Sequence, residues 1–188
     1  MAKLRTFIAI DTPPEVRSHI VELQQQLKET RADVRWEPPE KLHATLKFLG
    51  ETDENNLQPI AAALGRIARG FSPLALSYRT VGCFPTTRAP RVVWIGLEEP
   101  SGRLEAMQQQ IEDSMTQFGF EKEERQFHPH LTLGRVKGQQ HVHGLLERLK
   151  TITFESQPVI IREIIIVKSD IQASGSVYTT LKSVPLGQ

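Results

Sequence analysis

Two histidines head the same short pattern in this 188-residue chain, His43-Ala44-Thr45-Leu46 and His130-Leu131-Thr132-Leu133. Imidazole titrates near neutral pH, so two of them facing one substrate from opposite sides can remove a proton at one atom and deliver one at another. Cleavage of a phosphodiester makes that demand. Attack at phosphorus runs roughly in line: water sheds a proton on one side while the leaving oxygen gains one on the other, and each assisted transfer contributes about 10²–10⁴ in rate. A threonine two places beyond each histidine adds a hydroxyl that can donate to the nonbridging oxygens, where negative charge grows. A single His-x-Thr on a strand is a common accident and usually structural. Two copies at matching places in the chain are a pair of catalytic candidates.

The elements around the motifs must bring them together. In a strand, residues two apart share a face. LHATLKFLG (residues 42–50) is rich in strand formers, and strict alternation puts His43, Thr45 and Lys47 on one face and Leu42, Ala44, Leu46 and Phe48 on the other. In HLTL the same rule sets His130 beside Thr132, with Leu131 and Leu133 turned inward. Upstream, a strand-like run from Arg5 to Ile10 ends at Asp11. Thr12, Pro13 and Pro14 then signal a helix start, and Val16, Ile20, Leu23 and Leu27 recur as an amphipathic helix requires, over roughly residues 13–29. Val34 to Trp36 is a short strand. Asp53 can cap a second helix carrying Leu57, Ile60, Leu64 and Ile67, which Gly70 ends, and Leu74 to Val81 is again strand-like. The second half repeats the order. Strand-like VVWIGL at residues 92–97 precedes Ser101 as a cap, then Leu104, Met107, Ile111, Met115 and Phe118 at helical spacing, closed by Gly119. After FHPHLTLGRV come a helix-like HVHGLLERLK and apolar runs near 152–161, 164–170 and 177–184.

The two histidines lie 87 residues apart, and the opening strands and helix caps recur at nearly that offset. Two copies are too few for a solenoid. The expected fold is therefore α+β, a single domain over residues 1–188 made of two pseudo-symmetric lobes. Each lobe has a small, mainly antiparallel sheet with helices outside, and the active cleft lies between them.

Composition narrows the function classes. With 23 Lys and Arg against 22 Asp and Glu, the net charge of +1 gives no general attraction for nucleic acid or anionic lipid, so any contact with RNA must be local. The one cysteine, Cys83, supplies neither a disulfide nor a zinc-binding thiolate cluster and fits a reducing compartment. MAKLRTFIAID is interrupted by Asp11 and two prolines, short of a secretory core or a spanning helix, so a cytoplasmic protein without a membrane partner is expected. Nothing in the sequence implies an obligate protein partner.

The motif pair resembles that of the 2H phosphoesterases, which are defined by two His-x-Thr/Ser-x motifs in two pseudo-symmetric lobes. Val34-Arg35-Trp36, Phe48-Leu49-Gly50, Phe84-Pro85, Val93-Trp94 and Thr132-Leu133-Gly134-Arg135 are similar to the bacterial and archaeal RNA 2',3'-cyclic phosphodiesterase branch, over nearly the whole chain. The resemblance implies His43 as proton donor, His130 as proton acceptor, a 2'-phosphate product, and no metal or other cofactor. It also implies Thr45, Thr132 and Arg135 as substrate contacts. Motif symmetry alone leaves the two histidine roles interchangeable. The same branch is named for a reversible 2'-5' RNA ligation, which microscopic reversibility allows if an RNA 5'-hydroxyl replaces water. The implied partner is RNA with a 2',3'-cyclic phosphate end, and tRNA fragments, other RNA ends and small cyclic nucleotides all stay open.

Several residues carry a second reading. Strict alternation sets Arg135 on the face opposite His130, unless a bulge at Gly134 or the end of the strand swings it back. Lys47 is expected on the rim of the motif face. Phe48 is expected in the core, with base stacking as the lesser alternative. His128, His130, His141 and His143 form HPH and HVH pairs that suit a metal-dependent hydrolase. Neither pair brings a carboxylate, however, and HVH falls at a helix start, where residues two apart diverge. Arg88 and Arg91, between prolines in a loop, together with Arg135 and Lys47 are the candidate local cationic surface for RNA. A non-catalytic RNA- or nucleotide-binding module is the rival from another class. The retention of all four motif side chains speaks against it.

Overall fold

A computed structural model describes residues 3–86, 88–173 and 175–187. Its elements run β1 (Lys3–Asp11), α1 (Pro14–Lys28), β2 (Val34–Trp36), β3 (His43–Asp53), α2 (Leu57–Ala68), β4 (Leu74–Phe84), β5 (Val92–Glu98), α3 (Arg103–Met115), β6 (His130–Val136), α4 (Val142–Thr151), β7 (Val159–Ile161), β8 (Glu163–Gln172) and β9 (Gly175–Pro185). The helices form where the apolar spacing puts them. α1 starts on Pro14, whose missing N–H costs nothing in a first turn, and buries Val16, Ile20, Leu23 and Leu27. Burying each such side chain contributes about 1.5–3 kcal/mol before chain entropy is counted. α3 is capped differently from the sequence expectation. Gly102 occupies the cap position, and the Glu99 carboxylate, not Ser101, accepts from the first-turn Arg103 N–H at 2.7 Å and the Leu104 N–H at 3.3 Å. A full negative charge at the dipole's positive end holds these donors more strongly than a hydroxyl would. The run at 152–161 is strand only from Val159, and β3 continues past Gly50, which takes a left-handed φ of +68°, to Asp53.

Among the described residues nine strands form one antiparallel sheet in the order β7-β4-β5-β6-β3-β1-β8-β9, with β2 added on β6. Four helices bury their apolar faces in a single cluster with Ile8, Ile10, Ala44, Leu46, Leu131 and Leu133. The order has a pseudo-two-fold centre between β6 and β3, about which β5 answers to β1 and β4 to β8. Each half of the chain therefore sends a strand from its C-terminal part to the other lobe: β4 flanks β5 and β8 flanks β1. Local spacing could not show this exchange, because an edge strand carries the same alternation whichever neighbour it joins. No described helix is long and apolar enough to cross a membrane.

Candidate active site

The lobes meet at one cross-strand pair, Ala44 on β3 with Leu131 on β6. The strands are antiparallel, so one step either side of that pair sets His43 across from Thr132 and Thr45 across from His130. Ala44 and Leu131 point into the core, and the four polar side chains stand on the other face. Both histidines, both threonines and the centre of the pseudo-two-fold thus fall at one place. Among the described residues neither the Thr45 nor the Thr132 hydroxyl has an intramolecular hydrogen-bond partner.

Just beyond each threonine the sheet carries a bulge. Along β1 and β3, Ala9 pairs with Thr45 but Ile8 pairs with Lys47, leaving Leu46 as the extra residue. Along β5 and β6, Trp94 pairs with Thr132 but Val93 pairs with Gly134, leaving Leu133 extra. An extra residue inverts the alternation after it. Arg135 therefore returns to the face of His130 and Thr132, with the bulge at Leu133, one residue before Gly134. The glycine itself is required by close packing, because a Cβ at Gly134 would lie 2.7 Å from Val34 and 3.0 Å from Trp36 on β2. The same inversion corrects two expectations on β3. Lys47 is not on the rim but buried, its Nζ donating to Glu112 at 2.6 Å and to the Glu121 carbonyl at 2.9 Å. Phe48 is not in the core but 70% exposed, on the histidine side, where it meets Phe7 with ring centroids 6.0 Å apart. Phe48 and Arg135 occupy equivalent places in the two lobes, an aromatic at one and a guanidinium at the other.

Each imidazole is held edge-on by aromatic rings. His43 contacts Tyr178 at 5.9 Å and Phe7 at 6.4 Å, and His130 contacts Phe84 at 5.2 Å. Their polar neighbours differ. His130 Nδ1 lies 2.7 Å from the His128 carbonyl. A carbonyl only accepts, so Nδ1 carries the hydrogen and the lone pair of neutral His130 sits on Nε2. His43 Nε2 instead lies 3.3 Å from Asp11 Oδ1, and that carboxylate is braced by Arg17 at 2.7 Å. A carboxylate favours a proton on Nε2. The residue across from His130, where Asp11 stands across from His43, is Gly96. Burial, the largest influence, pushes both imidazoles below their ordinary value. The Asp11 carboxylate and then the Lys41 carbonyl oppose that at His43, with the Arg17 guanidinium reinforcing it, and at His130 the His128 carbonyl opposes it while the His128 ring and Arg135 reinforce it.

In the sequence Asp11 is visible only as the end of a strand. Its place beside His43 comes from the β1–β3 register, for which no local signal exists. Tyr178 is hidden for the same reason. Of the remaining candidates, His141 is the residue before α4 and His143 lies inside its first turn, away from the HPH pair in the chain. Among the described residues no three His, Cys, Asp or Glu side chains gather closely enough to hold a metal ion. Arg88 and Arg91 are exposed, and the Arg91 backbone closes the loop onto Phe84 at 2.7 Å.

The duplicated geometry has a counterpart in known proteins. Residues 10–94 and again residues 95–178 match the family model described as LigT like Phosphoesterase. The chain belongs to this family. Among relatives of this LigT-like phosphoesterase, the RNA 2',3'-cyclic phosphodiesterase of Methanothermobacter thermautotrophicus is 34% identical over 96% of the chain and 97% of its own length. The crystal structure of TT0787 from Thermus thermophilus superposes with a TM-score of 0.83 at 28% identity, covering 98% of the chain and all of the neighbour. E. coli LigT crystallised with ATP gives 0.76 at 25% identity, with both chains covered in full.

Proposed function

We propose that this LigT-like phosphoesterase hydrolyses the 2',3'-cyclic phosphate at the end of an RNA to a 2'-phosphate, using His43 as general acid and His130 as general base. The observation that carries the reading is the facing arrangement of two histidines and two threonine hydroxyls, unpartnered among the described residues, about the Ala44–Leu131 pair. His130 Nε2 takes a proton from water, whose oxygen bonds to phosphorus. The bond from phosphorus to O3' breaks, and O3' takes the proton from His43 Nε2, leaving a 3'-hydroxyl and a 2'-phosphate. Thr45, Thr132 and Arg135 donate to the nonbridging oxygens as charge builds. Phe48 offers a stacking surface for the terminal base. One polar neighbour supports this order of roles independently of any relative: a carboxylate lies on the donor nitrogen of His43, and the residue in the corresponding place across from His130 is a glycine. The relatives named RNA 2',3'-cyclic phosphodiesterase support the substrate. With an RNA 5'-hydroxyl in place of water the same proton transfers would make a 2'-5' linkage.

The direct test incubates the protein in EDTA with an oligoribonucleotide ending in a 2',3'-cyclic phosphate and identifies the product. Turnover to a 2'-phosphate is expected. Metal-dependent turnover or a 3'-phosphate product would overturn the reading, and tight binding without turnover would favour a binding module.

The acid and base assignment predicts a bell-shaped dependence of kcat/KM on pH. The acid limb marks protonation of His130 and the alkaline limb deprotonation of His43. Asp11 raises the His43 pKa, so Asp11→Asn lowers it, and His43 loses its proton at lower pH. The alkaline limb should move to lower pH while the acid limb stays. Movement of the acid limb instead would mean that the two roles are reversed.

A further inference from the structure

Arg35 on β2 pairs directly with Arg135 on β6. Val34 and Trp36 pack on the core, so Arg35 faces the histidine side, as does Arg135 after its bulge. Like charges directly opposite on neighbouring strands destabilise a sheet. One carboxylate, Glu37, reaches this pair, at 3.6 Å from Arg135, and among the described residues Arg35 has no ion-pair partner. Lys41 is also without a carboxylate among them. Its ammonium lies 5.8 Å from the centre of the Tyr178 ring, the ring that holds His43 edge-on at 5.9 Å. In a protein of net charge +1, two cations with no carboxylate partner among the described residues and a half-compensated arginine therefore stand on the side of the catalytic candidates. The proposed reaction involves one phosphate, and the motif threonines and Arg135 already answer to it.

Resting on the proposed hydrolase reading, we infer that Arg35 and Lys41 bind the phosphodiester on the 5' side of the terminal nucleotide. That group is what separates an RNA end from a free 2',3'-cyclic mononucleotide. The site therefore selects RNA ends over mononucleotides by charge, with no need to read a base. Arginine suits this contact because its planar fork can meet two phosphate oxygens at once.

The test compares kcat/KM for two dinucleotides ending in a 2',3'-cyclic phosphate, one with the ordinary linkage and one with a neutral methylphosphonate. A charge-assisted contact contributes about 1.5–3 kcal/mol, so the wild type should prefer the charged linkage roughly 10- to 100-fold. Arg35→Gln and Lys41→Gln should each compress that ratio towards one. Lys150→Gln, on exposed α4, removes the same charge elsewhere and should leave the ratio intact. Equal turnover of both linkages by the wild type, or full discrimination by Arg35→Gln, overturns the inference. The same ratio can be read from the Kd of the two 2'-phosphorylated dinucleotides. Absence of turnover would thus sink the hydrolase reading while the binding ratio still decides this one.

Discussion

His43→Ala and His130→Ala should each lower kcat on a cyclic phosphate end by roughly 10²–10⁴, the range for a positioned acid or base. KM should change much less, because the threonines and Arg135 proposed to hold the phosphate remain. The two losses should not multiply in the double variant, since a site lacking one partner gains little from the other. Leaving-group chemistry separates the roles. A phosphodiester whose leaving group is a nitrophenolate needs no proton on departure, so the proposed acid becomes dispensable and the base does not. His43→Ala should therefore recover most of its activity on that substrate, and His130→Ala should not. Recovery in the opposite variant would exchange the roles, and recovery in both would remove the acid–base reading altogether.

Glu112→Ala should be the most destabilising single change near the site, by about 3–5 kcal/mol, because it strands a buried ammonium. Lys47 and Glu112 are 3% and 7% exposed, and their 2.6 Å contact is part of a closed network. Gln108 donates to the carboxylate at 3.2 Å, the Glu123 N–H donates to it at 3.2 Å, and the Glu121 carbonyl accepts from Lys47. The network ties β3 to α3 and to the segment leading into β6. At roughly 2–4 °C per kcal/mol for a chain of this length, the melting temperature should fall by about 6–20 °C. Lys47→Met combined with Glu112→Leu should restore part of the loss, since an apolar pair of similar volume strands no charge, although the Glu121 carbonyl and the Glu123 N–H lose their partners. A melting temperature unmoved by Glu112→Ala would mean that water reaches Lys47. The pair also anchors the inward turn of Lys47 that accompanies the outward turn of Phe48, so partly folded Glu112→Ala should lose affinity for nucleotides along with stability.

Patterns that repeat over a few residues were legible in the chain alone. The alternation of His43 and Thr45 against Ala44 and Leu46, and of His130 and Thr132 against Leu131 and Leu133, is a property of any extended chain. The spacing of Val16, Ile20, Leu23 and Leu27 likewise belongs to any helix with one buried face. The duplication was legible too, because both halves carry the same order of such local patterns. Features that depend on a neighbouring strand emerged only in the folded molecule. Whether Leu46 and Leu133 are paired or extra is settled by the hydrogen bonds of β1 and β5, and that choice turned Lys47 inward and Phe48 and Arg135 outward. The partner of each histidine follows from register: Asp11 opposite His43 and Gly96 opposite His130 break a symmetry that the motifs themselves leave intact. The facing of Arg35 and Arg135 arises in the same way, between residues a hundred positions apart. Alternation is a local property of the backbone, whereas register is a long-range agreement between strands, and the asymmetry of this site resides in the register.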